Sequence, residues 1–192
     1  MKRLHAVLLL LLAFTLFGAA PSSAQTCTPH GVVPTGYGPF YDHIANGEPA
    51  STSCWAPVNV TFVSGLPACS IGGPTYKAFQ FNYASSATQQ FTIPASMTGQ
   101  SFGLTFNFDF IDPNHDPFNS LGAELRDLTT GTVLGWFDYF GGMPDTNVKC
   151  RRVDLAFNGN LTGHTIQVRF TGQKGYANTF LRIHSITFFQ GL

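Results

Sequence analysis

Phe102-Gly103-Leu104-Thr105-Phe106-Asn107-Phe108-Asp109-Phe110 sets large apolar residues at every second position, with small or polar residues between them. A period of two places alternate side chains on opposite faces, so this stretch reads as a strand with one greasy and one polar face. The same rhythm spreads along the chain. Upstream, Gln90-Phe91-Thr92-Ile93 stops at Pro94. Downstream, Leu121, Ala123 and Leu125 alternate with Gly122, Glu124 and Arg126, and Thr129-Thr130-Gly131-Thr132 turns the chain into a strand over 133–140. Arg152 to Phe157 is a short strand, Asn158-Gly159-Asn160 a turn, and Ile166, Val168 and Phe170 alternate with Gln167 and Arg169 before a closing strand from Thr179 to Phe189. No stretch of helical length keeps an i, i+3, i+4 apolar pattern free of Gly and Pro. The expected fold class is therefore all-β, an antiparallel sandwich or barrel.

Composition narrows the function. The 192 residues carry 10 Lys+Arg and 10 Asp+Glu, 44% are hydrophobic and 14% aromatic. Disordered chains lack that aromatic content, and nucleic-acid binders need a basic excess to neutralise phosphates. Lys2 and Arg3 precede an apolar run from Ala6 to Ala20 and a small-residue site at Ser22-Ser23-Ala24. Residues 1–24 read as a cleaved export signal and not as a membrane span. Its removal leaves 168 residues with a net charge of −2, histidines neutral. Residues 25–45, broken by Pro29, Gly31, Pro34, Gly36, Gly38 and Pro39, read as a loop-rich segment, and residues 46–192 as one domain. The expected product is secreted, extracellular or periplasmic, monomeric, and without a membrane span once the signal is cleaved.

Cys27, Cys54, Cys69 and Cys150 all lie in the exported part, and an even number there argues for two disulfides. Three pairings are possible. The one expected joins Cys54 to Cys69 across a short loop and Cys27 to Cys150. Asn59-Val60-Thr61 and Asn160-Leu161-Thr162 are glycosylation sequons, relevant only in a eukaryotic secretory pathway.

Taken in order, several segments resemble the galactose-binding-like β-jelly roll of bacterial carbohydrate-binding modules. Asn46-Gly47-Glu48 with Trp55 resembles the opening motif of that family, and Gln89 to Pro94 followed by Phe102 to Phe106 is similar to a pair of its strands. Leu125-Arg126-Asp127 through Gly131 to Leu134 resembles its hairpin, Leu161 to Phe170 a later strand, and Thr179 to Phe188 the closing strand. The resemblance implies a two-sheet jelly-roll sandwich and a carbohydrate-binding role. His184-Ser185 stands where the family carries an acidic pair that contributes to a calcium site, so the resemblance supplies no metal ligand there.

Two constellations carry possible chemistry. Asp112, Asn114 and Asp116 sit at alternate positions of an extended loop and present three hard oxygen donors, which suit a structural calcium, although Asp, Asn and Pro also simply build turns. Pleat arithmetic supplies the second. With Phe102 to Phe110 inward, Thr105, Asn107 and Asp109 point outward, as do Glu124, Arg126, Gln167 and Arg169. Placing Val133, Phe137 and Tyr139 inward adds Trp136 and Asp138 to the outer face and avoids burying a lone carboxylate. An indole beside Asp138, Asn107, Asp109, Glu124 and Arg126 is a surface on which a sugar ring packs while its hydroxyls find hydrogen bonds. The expected partner is a polysaccharide or other glycan, with an extracellular protein as the alternative for an adhesion or envelope-associated module. Neither a nucleophile elbow nor a free cysteine marks a catalytic centre. A small glycan-active hydrolase stands as the third reading, its carboxylates unassignable from spacing alone.

Overall fold

A computed structural model describes residues 27–33, 40–49, 53–69, 74–97 and 101–191. The export signal read at residues 1–24 lies outside the described residues. Among the described residues ten strands follow one another: β1 (Gly31–Val33), β2 (Phe40–Asp42), β3 (Ala56–Leu66), β4 (Tyr76–Thr92), β5 (Ser101–Ile111), β6 (Ser120–Asp127), β7 (Val133–Phe140), β8 (Asn147–Asn158), β9 (Thr165–Gln173) and β10 (Phe180–Gly191). All pairings are antiparallel.

Two layers result. In one, β3, β4, β9, β6 and β7 lie side by side, and in the other β1, β2, β10, β5 and β8 do. Strand β4 belongs to both: Phe79 to Phe81 pair with β10, whereas Ser85 to Thr92 pair with β9. The change of partner falls at Ala84, whose φ of 46° breaks the extended run. Gly172 of β9 makes the crossing possible, because a Cβ there would collide with the Phe81 side chain.

The opening strand does what its alternation dictates. Phe102, Leu104, Phe106, Phe108 and Phe110 are all fully buried. From β5 they reach across to the other layer, with Phe106 5.1 Å from Phe170, Phe108 5.1 Å from Phe137 and Phe110 5.0 Å from Tyr139 between ring centroids. These strands share no ladder, so the contacts are the interior of a two-layer sandwich. The fold is an all-β, antiparallel jelly-roll sandwich around a phenylalanine-rich core.

Among its described residues, the loop-rich segment 25–45 carries β1 and β2, β2 pairs with Phe189 to Gly191, and His43 and Ile44 are buried. Two expectations need correction. The disulfides join Cys27 to Cys54 and Cys69 to Cys150, with Cα atoms 5.4 Å apart in each. Cys54 and Cys69 cannot pair because the 11-residue β3 lies between them, and an extended strand of that length holds its ends on the order of 35 Å apart. Within β7, Val133 is exposed instead of inward. A register shift between Leu125 and Arg126 sets Val133 opposite outward-facing Arg126 and lets Leu134 pack on the core.

Candidate functional site

The outer face of the β4–β9–β6–β7 layer is built row by row by its register. Trp136 stands opposite Glu124, Glu124 opposite Arg169, and Arg169 opposite Thr88. In the next row Asp138 stands opposite Gly122, Gly122 opposite Thr171, and Thr171 opposite Ser86. Directly opposed residues on one face approach closely enough for their side chains to interact. The indole of Trp136 is 68% exposed on edge strand β7, where a core role would have covered it.

Beside the indole lies a depression of about 230 Å³ lined by Ala123, Glu124, Trp136, Asp138, Arg169 and Thr171. Gly122 explains it. A Cβ at this position would sit 2.8 Å from Asp138 Oδ1 and 2.9 Å from Thr171 Oγ1, so the missing side chain leaves both polar groups leaning over a bare strand. Arg126 donates from Nε and Nη2 to the Glu124 carboxylate at 2.9 and 3.2 Å. That hydrogen bond holds the Glu124 carboxyl below the usual carboxylate range. The face thus offers an aromatic plane, two carboxylates, the hydroxyls of Ser86, Thr88 and Thr171, and two guanidinium groups, of which Arg126 is committed to Glu124.

Asn107 and Asp109 are absent from this face. Both point outward, but from β5, in the opposite layer. Asn107 pairs with His184 and Arg152 and borders a cleft of about 450 Å³ shared with Glu48, Cys69, Tyr76, Lys77 and His184. Asp109 is 1% exposed and fully engaged. Its Oδ2 accepts the Tyr76 hydroxyl at 2.5 Å and faces Arg182 Nη1 at 3.6 Å, and its Oδ1 accepts the Cys150 amide at 2.8 Å. Burial and this carboxylate together push the Tyr76 phenol well above its ordinary value. Asp109 therefore clamps β4, β10 and β8 together and has no room for a ligand.

The loop residues Asp112, Asn114 and Asp116 are likewise taken up locally. Asp112 is fully buried, with Oδ1 accepting the Asn114 amide at 3.2 Å and Oδ2 the Asp116 amide at 2.8 Å. Asn114 Nδ2 donates to Asn178 at 2.9 Å, and Asp116 Oδ1 accepts the Phe118 amide at 3.0 Å. The geometry is that of a hydrogen-bonded turn. These contacts lock the β5–β6 loop to the neighbouring β9–β10 loop, where the Gly175 amide donates to Asn119 Oδ1 at 2.7 Å. Phe118, 77% exposed, and Tyr176, 53% exposed, sit on this joined rim.

Thr171 and Gly122 were not singled out by reading the sequence as site residues. Thr171 was accessible to it, since it continues the outward series Gln167, Arg169. Gly122 was not, because a glycine in a strand shows its use only when its neighbours are known.

No family model matches the chain, and no curated protein matches it. Solved structures do. The enzymatically active domain of tailspike protein 4 from bacteriophage CBA120 is 16% identical, with a TM-score of 0.52 over 78% of this chain. The chain spans about a fifth of that protein's length, 21%. A family 61 carbohydrate-binding module solved with β-1,4-galactotriose is 13% identical over 72% of this chain and 89% of the module, with a TM-score of 0.49. The xylan-binding family 22 module from Paenibacillus barcinonensis is 8% identical over 76% and 90%, with a TM-score of 0.44. At 16% identity the likeness to the tailspike domain is one of fold alone. Among the described residues, no helix is long and apolar enough to cross a membrane.

Proposed function

We propose that this protein is an exported, non-catalytic binding module that takes a glycan on the outer face of the β4–β9–β6–β7 layer. One observation carries the reading: an exposed indole, Trp136, beside a depression rimmed by Asp138, Thr171, Glu124 and Arg169. A pyranose presents a C–H face that packs on an aromatic plane and hydroxyls that both donate and accept, which is what these side chains complement. The signal-like residues 1–24 and the two cystines support export to an oxidising compartment.

Affinity electrophoresis or pull-down on a polysaccharide panel tests it, with β-1,4-galactan and xylan among the probes. The wild-type chain is retained by at least one glycan. Truncating an aromatic anchor typically costs 2 kcal/mol or more, so Trp136→Ala weakens binding by about 30-fold or more. Undiminished retention of that variant removes the sheet face. The rim aromatics favour a second reading, in which the interlocked loops carry the contact. Phe118→Ala with Tyr176→Ala then abolishes retention while Trp136→Ala leaves it intact. Failure of every glycan to retain the wild-type chain moves the role to a protein partner.

A further inference from the structure

On the opposite layer, β10 interrupts its alternation. The register with β5 shifts between His184 and Thr187, Ser185 adopts a φ of 52°, and the Ile186 amide turns to Gly47 O at 2.8 Å. The bulge leaves His184 on the outer side and fixes it there. It is 1% exposed, its ring stacks on Tyr76 with centroids 4.0 Å apart, and its Nδ1 lies 3.1 Å from Ser185 Oγ. The remaining nitrogen, Nε2, points at Cys69 Sγ, 4.0 Å away. The Cys69 and Cys150 sulfurs and the imidazole all lie within 4.8 Å of one another.

We propose that Cys69, Cys150 and His184 form a redox-gated site for a thiophilic cation, zinc(II) in particular, closed while the two sulfurs are bonded to each other. The donor set is right: two thiolates and an imidazole are zinc ligands, and metal–donor bonds of about 2.0–2.3 Å set tetrahedral donors roughly 3.5–4 Å apart. His184 already stands at that spacing from Cys69. The second shell is also in place, since Ser185 fixes the ring through its other nitrogen, and Asp109 holds the Cys150 backbone at 2.8 Å. Cys69 is exposed on the wall of the 450 Å³ cleft, which gives a reductant access and leaves a fourth coordination position open to water.

The chemistry balances. A low-molecular-weight dithiol delivers two electrons and two protons to the disulfide and is itself oxidised to a disulfide. The S–S bond breaks and two thiols form. Metal entry then displaces both thiol protons to solvent, with each sulfur donating a lone pair to the ion.

Cobalt(II) is the spectroscopic probe. The Cys27→Ser/Cys54→Ser chain, which keeps only the Cys69–Cys150 pair, is reduced with a phosphine and titrated with cobalt. The expected result is a sulfur-to-cobalt charge-transfer band with tetrahedral d–d bands, saturating at one equivalent and lost on adding zinc. His184→Ala weakens the binding at least about tenfold. The oxidised chain shows no band. If the double Ser variant does not fold, the reduced wild-type chain is titrated instead, with Cys69→Ser as the subtraction. The proposal is overturned by the absence of the band after reduction, by a band that His184→Ala leaves unchanged, or by one that survives Cys69→Ser.

Discussion

Asp42 illustrates how much one side chain's setting decides. It is 5% exposed, and its Oδ1 accepts the Ile44 amide at 3.0 Å and the Phe188 amide at 3.1 Å, which ties the N-terminal segment to β10. Desolvation by burial outweighs those two hydrogen bonds and raises the carboxyl from 3.8 to about 6. Between pH 4 and 6 the folded chain therefore holds a proton that the unfolded chain has released. Stability falls as pH rises through this window, by roughly 2–3 kcal/mol in total. Asp42→Asn keeps the acceptor and removes the ionisation, so urea unfolding from pH 4 to 7 should lose this slope in the variant. His43 and His184 act with the opposite sign. Burial lowers both, so each costs stability as pH falls below 6.5, and the variant isolates the Asp42 contribution from theirs.

At the scale of elements, Asp109 is the residue whose role changed most between sequence and structure. Alternation placed it outward on β5, and it is outward. Its carboxylate is nevertheless covered by Tyr76 from β4, Arg182 from β10 and the Cys150 amide from β8. None of those partners can be read from the β5 stretch, because each is brought in by a different long-range pairing. Asp109→Ala leaves the Tyr76 hydroxyl and the part-buried Cys150 amide without their acceptor and Arg182 without its counter-charge, which costs about 2–4 kcal/mol. Glycan retention at 20 °C should stay near wild type, since the Trp136 face lies on the other layer. Loss of retention in a chain that is still folded by circular dichroism would place Asp109 in the binding machinery after all.

For the whole molecule, stability rests on the aromatic interior between the layers. Phe106 touches Phe170 and Phe137, from two strands of the facing layer. Phe106→Ala removes both contacts and leaves a cavity, which costs about 3–5 kcal/mol and lowers Tm on the order of 10 °C. Calorimetry checks this. A shift of only a degree or two would mean that the layers close over the gap.

The sequence by itself determined β5 to β10, the fold class and the inward Phe series, because a period of two is written in adjacent residues and needs no partner to be read, whereas β1 to β3 and β4 before Gln90 emerged only in the structure. The cost of burying a lone carboxylate also favoured the register in which Trp136 and Asp138 face outward, although that register placed Val133 inward and it is exposed. Only the tertiary structure decided which outward residues share a surface. Outward on β5 and outward on β7 are opposite sides of one sandwich, and strand order depends on contacts between residues far apart in the chain. The same reason governs the cystines. Cys54 and Cys69 are near in sequence but stand at the two ends of an extended strand, whereas Cys69 and Cys150, separated by 81 residues, meet beside His184.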